Sequence, residues 1–530
     1  MRAQSPQSVP SEDLRGMRVA LVHANPWQAM RPVPPYGLHR LRTALVARGA
    51  HVDILDPYLS WPAEAAPAAL GAALAALAPD LIGFSLRVLD TLMPVESTDG
   101  DDASSDSTPL LEGIRAVVEA ARAAAPGVPL VLGGAAFPTA PHELLELLGV
   151  DLGILGNGEA ALVDLAARLR DGADLDGVAG LVRAGIRTPV RPATAVLDIP
   201  TWRDPLFAPV FYMPVRTRSG CGMFCSYCTS ANMGGAAATY PLGVILDELG
   251  ELAAKAREMG IVVCVHFADE EFNLPTEEHA VAVLSGMVER GYTDALRWAA
   301  YLNPRPFSHA FAALTKATSG VPEFTVDSAV NSVLAANRKP FRRKHIDELI
   351  QVLAAHELPA KIYLMFGLPG ESWETAAATI AWAKTLTAPL EVSYAVGARI
   401  LPGVPLSDIA AAQPENVYAG TGPSFTDPSL YCTLGPPRVA ARTINAMFAD
   451  SAHVERLPSG PSIWAGTGCL AAAYRLVAAG GDVDTWVREV VADALTRGDL
   501  APRLLSSVAL IATWNGRGDL ADATPAAPER

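Results

Sequence analysis

Three cysteines, Cys221, Cys225 and Cys228, fall within eight residues in the stretch Arg216-Thr-Arg-Ser-Gly-Cys-Gly-Met-Phe-Cys-Ser-Tyr-Cys-Thr229. Thiolates at CxxxCxxC spacing can hold three irons of a cubane cluster and leave the fourth uncovered, because such clusters are ordinarily closed by four thiolates and no fourth cysteine lies nearby. An uncovered iron can take an exogenous ligand and do chemistry on it. Zinc would draw a second Cys or His pair at a regular distance, and neither Cys264 nor a neighbouring histidine supplies one. Six cysteines in 530 residues are too sparse for a disulfide framework. Zinc and buried free thiols stand as the alternatives to a cluster. Cys264, Cys432 and Cys469 are isolated and read as small buried apolar residues.

Further along, Asp269-Glu270-Glu271-Phe272-Asn273-Leu274-Pro275 places three acids in a row, costly unless they are solvated or meet a cation. Glu271 also suits a helix N-terminus, where it would complement the macrodipole. In the first third of the chain the candidates are turns: Asn25-Pro26-Trp27, Arg87, Gly133-Gly134-Ala135-Ala136-Phe137-Pro138 and Gly156-Asn157-Gly158-Glu159. Glycine there allows backbone to approach a bulky ligand, or simply makes a tight strand-to-helix turn.

The elements that must position these residues are α/β throughout. Short apolar runs at 18–22, 52–55, 80–86, 128–132 and 152–155 alternate with helical patterns, which predicts a doubly wound, Rossmann-like sheet over residues 16–185 with its ligand at the carboxyl ends of the strands. Prolines 189, 192, 200 and 205 mark a linker at 186–210. A second series of strands at 211–216, 262–267, 296–301, 323–326, 361–366 and 392–400 fits a partial β/α barrel over 211–405, and the cysteine loop follows its first strand. Residues 406–530 read as a mainly helical cap or partner surface, with a helical pattern at 482–497.

Residues 1–15 read as a disordered tail, not a signal peptide, and the acidic segment 96–109 reads as a mobile loop, with a lid as the alternative. The Ala-rich stretch 62–84 is broken by Pro79 and Asp80 and predicts a buried helix and strand in place of a membrane span. A reducing, cytoplasmic location is the expectation. Net charge is −15, and the one basic block is Arg338-Lys339-Pro340-Phe341-Arg342-Arg343-Lys344, so neither nucleic acid nor membrane is an expected partner.

The cysteine loop resembles that of the radical SAM superfamily. Pro34-Pro35-Tyr36-Gly37-Leu38, Ser85-Leu86-Arg87, Gly133-Gly134 and Gly158-Glu159, in that order ahead of it, make the chain similar to the cobalamin-dependent branch of that superfamily over residues 16–410. The resemblance implies a [4Fe-4S] cluster, S-adenosylmethionine and cobalamin as cofactors. The acids Asp269, Glu270 and Glu271 would meet the methionyl ammonium, or Glu270 or Glu271 would ligate the fourth iron. Asp327 and Ser328 carry over for the methionyl carboxylate and ribose, although Ala329-Val330-Asn331 replaces the usual Gly-Ser-Glu continuation. Gly367, Pro369, Gly370 and Glu371 match the Gly-x-Pro-Gly-Glu turn beside the adenine, and Arg399-Ile400-Leu401-Pro402-Gly403 matches the following turn.

On the cobalamin side the resemblance implies binding contacts from Gly133, Gly134, Gly158 and Glu159. No Asp-x-His-x-x-Gly sequence is present, and His23, His39, His51 and His142 read as surface or core histidines. Cobalamin would bind base-off, with Arg87 at the lower face of the cobalt. Ser85-Leu86-Arg87, Gly133 to Phe137 and Phe272-Asn273-Leu274-Pro275 look most like the tryptophan 2-C-methyltransferase branch. That implies methyl transfer from S-adenosylmethionine through methylcobalamin to a carbon of a small natural-product precursor, tryptophan being one candidate, with an external flavodoxin or ferredoxin as electron donor. A cyclase or rearrangement enzyme using the 5′-deoxyadenosyl radical is one alternative, and a cobalamin and iron–sulfur sensor without turnover is another. Trp298 and Tyr301 are candidates for an aromatic pocket, or for the core.

Overall fold

The computed structural model describes residues 13–26, 34–89, 108–183, 185–190, 213–230, 237–258, 262–423, 428–451 and 453–456. Trp27, the acidic segment up to 107, most of the expected linker, Cys469 and the helical pattern at 482–497 lie outside them. The chain divides into two compact units, the first built from residues up to 194 and the second from 195 onward together with 26–34 and 88–111.

In the first unit, β1 (Arg18–His23), β2 (His51–Leu55), β3 (Leu81–Ser85), β4 (Leu130–Gly133), β5 (Leu152–Ile154), β6 (Leu181–Arg183) and β7 (Ile186–Arg187) form one sheet in the order β2-β1-β3-β4-β5-β6-β7. The first five run parallel and the last two antiparallel. Burial on both faces explains why β1 and β3 read as continuous apolar runs. The strand order reverses between β1 and β3, the switch point at which doubly wound sheets open a crevice for a ligand. The β6–β7 hairpin, turning at Gly185 with φ 71°, carries the sheet past residue 185, where the sequence placed the start of the linker. The Ala-rich stretch forms the helix Ala66–Leu77, burying Ala66, Leu70 and Leu74 at a spacing of four, and then β3. No helix among the described residues is long and apolar enough to cross a membrane.

The second unit begins with β8 (Met213–Val215), followed by the two-residue strands β9 (Arg218–Ser219) and β10 (Ala238–Thr239). β11 (Val263–Phe267), β12 (Leu296–Leu302), β13 (Gly320–Asp327), β14 (Ala360–Phe366) and β15 (Leu390–Val396) then join β8 in a parallel sheet whose spatial order is the chain order. After β16 (Ala398–Arg399), β17 (Val417–Pro423) and β18 (Pro428–Tyr431), which make a small antiparallel sheet of their own, β19 (Val454–Arg456) adds a seventh parallel strand beside β15. The expected mainly helical C-terminal region is thus mixed helix and sheet over its described part.

Alternation along the large sheet sorts its side chains. Phe267, Trp298, Phe324, Ile362 and Phe366 are fully buried on the face covered by helices, while His266, Tyr301, Thr325 and Tyr363 on the other face are half-buried. Trp298 donates Nε1–H to Thr318 Oγ1 at 2.7 Å and lies over Gly320, where an added Cβ would come within 2.2 Å of the ring. Trp298 is therefore a core residue and Tyr301 faces away from it, so the two do not share a pocket.

Candidate functional site

The cysteine loop is anchored at both ends of its base. β9 pairs antiparallel with β10, Ser219 against Ala238 and Arg218 against Thr239, so the segment carrying the three cysteines leaves and re-enters through one short ribbon. Asp269, which follows β11, holds the entry: Oδ1 accepts from the backbone N–H groups of Thr217 at 2.9 Å and Arg218 at 3.0 Å, and Oδ2 accepts from Thr217 Oγ1 at 2.5 Å. Burial pushes this carboxyl up to about 6 in spite of those bonds. Asp269 is thus engaged in shaping the loop.

Cys221 and Cys225 are buried and Cys228 half-buried. Burial raises the Cys221 thiol and pushes that of Cys225 up to about 12, and the three sulfurs are close enough to act on one another electrostatically. Buried thiols of this kind need a metal's positive charge to become thiolates. Among the described residues no three His, Cys, Asp or Glu side chains converge as ligands of a single ion. Each thiolate of a cubane takes its own iron, so three cysteines at this spacing with no fourth beside them fit a cluster with one open iron.

The other two acids differ. Glu270 is partly exposed and paired with Arg216, Oε1 to Nη2 at 2.9 Å. Glu271 is buried; Oε1 accepts from Thr325 Oγ1 at 2.6 Å, and Oε2 has no hydrogen-bond partner. Burial pushes the Glu271 carboxyl up to about 7. Both negative charges act on Cys221. A buried carboxylate oxygen without a partner is costly, and either an ammonium or an iron beside Cys221 would satisfy it.

The turns after β13 and β14 meet the cysteine loop. Asp327, at φ 62°, accepts from Tyr227 Oη at 2.5 Å and pairs with Lys339 Nζ at 2.8 Å. Ser328 lies 3.1 Å from Thr379 Oγ1 and accepts from the Val330 N–H, so its hydroxyl braces its own turn. Gly367 and Gly370 have φ of 83° and 80° and leave no room for a Cβ, which would lie 2.4 Å from Cys432 Sγ and 2.8 Å from Ala336 Cβ. Glu371 closes that turn, accepting from Gly367 N–H at 2.5 Å, and burial pushes its carboxyl up to about 8; Oε1 is left without a partner. Asn337 ties the pieces together, lying 2.7 Å from Ser226 Oγ and donating to Pro369 O at 3.0 Å.

Asn337, Tyr227 and Lys339 carry no role in the motifs above. Tyr227 is inside the cysteine motif and Lys339 inside the basic block, which by itself registers only as surface charge.

In the first unit Asn25, Arg87 and the Gly133–Gly134 turn meet at the carboxyl ends of β1, β3 and β4. Arg87 follows β3, and its backbone N–H donates to Asn25 Oδ1, after β1, at 2.6 Å. Gly134 has φ 96°, and a Cβ there would come within 2.5 Å of Leu86 O, so the Gly133–Gly134 turn closes directly on the Ser85–Arg87 turn. Leu86 N–H donates to Gly133 O at 2.8 Å. Gly158 starts the helix Gly158–Asp171, and Glu159 pairs with the buried Arg40 at 3.0 Å, tying that helix to the helix Tyr36–Val46. His23 is buried against Asp56, and His39 is buried with its pKa pushed well down by burial and Arg42. His51 and His142 are exposed.

Residues 29–166 match the B12 binding domain and residues 215–383 the radical SAM superfamily. The chain is 26% identical over 482 residues to the tryptophan 2-C-methyltransferase of Streptomyces laurentii, covering 77% of each. A structure of the radical S-adenosylmethionine methyltransferase TsrM from Kitasatospora setae, with tryptophan and aza-SAM bound, is similar at a TM-score of 0.70 and 22% identity, covering 87% of this chain and 97% of that one. OxsB, a cobalamin-dependent S-adenosylmethionine radical enzyme, is similar at 0.64 and 14% identity over 97% of this chain and 80% of that one. The chain accordingly carries an N-terminal B12-binding domain of Rossmann-like fold followed by a radical SAM domain.

Proposed function

We propose that this protein is a cobalamin-dependent radical SAM methyltransferase that moves a methyl group from S-adenosylmethionine to a carbon of a small natural-product precursor, with tryptophan as the first substrate to test. The observation that carries this reading is the 26% identity to a tryptophan 2-C-methyltransferase over 482 residues of a chain that holds both domains.

The residues fit the cofactors. Cys221, Cys225 and Cys228 would hold three irons of a [4Fe-4S] cluster; Glu270 and Glu271 each keep a buried Oε2 without a hydrogen-bond partner, and Glu271, which has no arginine pairing its other oxygen, would be the first of the two to meet the methionyl ammonium or the fourth iron. Gly367, Pro369, Gly370 and Glu371 would form the adenine wall. Asp269, Asp327 and Ser328 are spent on Thr217, on Tyr227 and Lys339, and on Thr379, so they would support the S-adenosylmethionine site through the backbone they fix. Cobalamin, when bound, supplies a carrier for the methyl group.

Arg87, set by Asn25 at the switch point, would present a cation to the lower cobalt face, which discourages a sixth ligand and so eases methyl departure. Gly133 and Gly134 keep that crevice lined by backbone, and Glu159 with Gly158 would frame it through the Arg40 pair. Reducing equivalents would come from a flavodoxin or ferredoxin.

The test is anaerobic incubation of reconstituted protein with cobalamin, a reductant, trideuteromethyl-labelled S-adenosylmethionine and tryptophan. Labelled tryptophan without 5′-deoxyadenosine is the expected result. Deoxyadenosine without label would favour the radical cyclase or rearrangement reading, and neither product, with cofactors bound, would refute methylation of tryptophan.

A further inference from the structure

Asp327 and Lys339 form a buried pair to which Tyr227, half-buried in the cysteine loop, is bonded. Lys339 and Asp327 expose only 2% and 5% of their side chains and lie 2.8 Å apart. Asp327 also accepts from the hydroxyl of Tyr227, which lies between Cys225 and Cys228 in the sequence, at 2.5 Å. The Lys339 ammonium sits 5.6 Å from the Tyr227 ring centroid and 5.9 Å from that of Phe341, within range of a cation–π attraction to both. The left-handed backbone at Asp327, φ 62°, is an uncommon conformation for a non-glycine residue, and its side chain is held by Tyr227 and Lys339.

We propose that Lys339 is a positioning residue for the cluster: paired with Asp327, it clamps Tyr227 and the cysteines beside it to the end of β13, and its buried charge sets the cluster's reduction potential. Two geometric facts separate this from ordinary structural pairing. The pair is fixed to the loop that carries the ligands, through a side chain flanked by two of them. It is also out of water, where a charge is felt at greater range than at the surface. Tyr227, two residues from Cys225 and one from Cys228, brings the Lys339 ammonium to within 5.6 Å of its ring, so a full positive charge lies beside the loop that carries the ligands. A cation facing a cluster favours the reduced form, because reduction adds an electron to it.

The inference rests on the proposed [4Fe-4S] assignment, and the experiment separates the two. Wild-type protein is reconstituted with iron and sulfide, without S-adenosylmethionine or cobalamin, and titrated reductively while its electron paramagnetic resonance is followed. If wild type takes no cluster, the cluster assignment fails. Given a loaded wild type, Lys339→Met and the paired Asp327→Asn/Lys339→Met variant, which leaves no buried charge unpartnered, are titrated in the same way. Both should show a lower potential, with the oxidised form favoured at least tenfold, which is 59 mV for one electron. A folded, loaded double variant at the wild-type potential would overturn the electrostatic role. Tyr227→Phe keeps the ion pair and removes only the hydroxyl; it should lose its cluster to a chelator several-fold faster than wild type, and an unchanged rate would overturn the clamp.

Discussion

At the scale of single residues, the acids around the cysteine loop divide into those already committed to the protein and those left with an oxygen to spare. Glu270, Glu271 and Glu371 belong to the second group, and Glu271 and Glu371 sit high on the pH scale because burial disfavours their charged forms. A carboxyl whose folded pKa is raised binds its proton more tightly in the native state. The stabilisation is complete below the ordinary carboxyl range and is lost as pH rises, up to about 8 for Glu371. The cofactor-free Glu371→Gln variant should therefore melt close to wild type at pH 5 and above it at pH 9, by an amount of order 2 kcal/mol in stability. Thermal unfolding at the two pH values checks the sign. Cys225→Ala should remove the visible iron–sulfur absorbance, and a full cluster in that variant would overturn the ligand assignment. For the cobalamin face, Arg87→Lys should slow methyl transfer several-fold while bound cobalamin, read from its absorption spectrum, stays at the wild-type level.

At the scale of elements, glycines decide how closely turns can approach. Gly134→Ala would set a Cβ within 2.5 Å of Leu86 O and at φ 96°, so it should destabilise the first unit by roughly 1–3 kcal/mol and weaken cobalamin binding. Isothermal titration of the reconstituted chain would show it. Much of this architecture was legible beforehand, because β1, β3 and β14 announce themselves as compact apolar runs between helical patterns, and the turns that follow them carry the motifs. The β6–β7 hairpin and β19 were not legible, since two or three residues are too few to show a period and only pairing with a neighbour makes them strands. Trp298 and Tyr301 show the limit from another side. Three positions apart on one strand they face opposite ways, and which face was the core depended on Gly320 and Thr318 in other elements.

At the scale of the whole molecule, the two sets of cofactor residues belong to separate compact units. Each unit has its own sheet and its own core, so loading of one cofactor should survive loss of the other: Cys225→Ala should bind cobalamin with wild-type stoichiometry, and Arg87→Lys should take up a full complement of iron. Metal analysis and cobalamin spectra of the two purified variants test this. The motifs of the sequence named the candidate residues of both sites, whereas the contacts around them, such as Asn337 bridging Ser226 and Pro369, join residues more than a hundred positions apart and show only in three dimensions.

The seventh strand of the large sheet has a consequence for how the protein is made. In the large sheet β11 docks on β8, and each later strand up to β15 docks on the one before it, so the sheet can grow in step with synthesis. β15, however, waits for β19 until the ribosome has passed Val454, and through that interval its outer edge presents unpaired backbone to any other strand nearby. A nascent or truncated chain that stops short of Val454 should therefore be the sticky form of this protein, rescued by a chaperone or lost to aggregation.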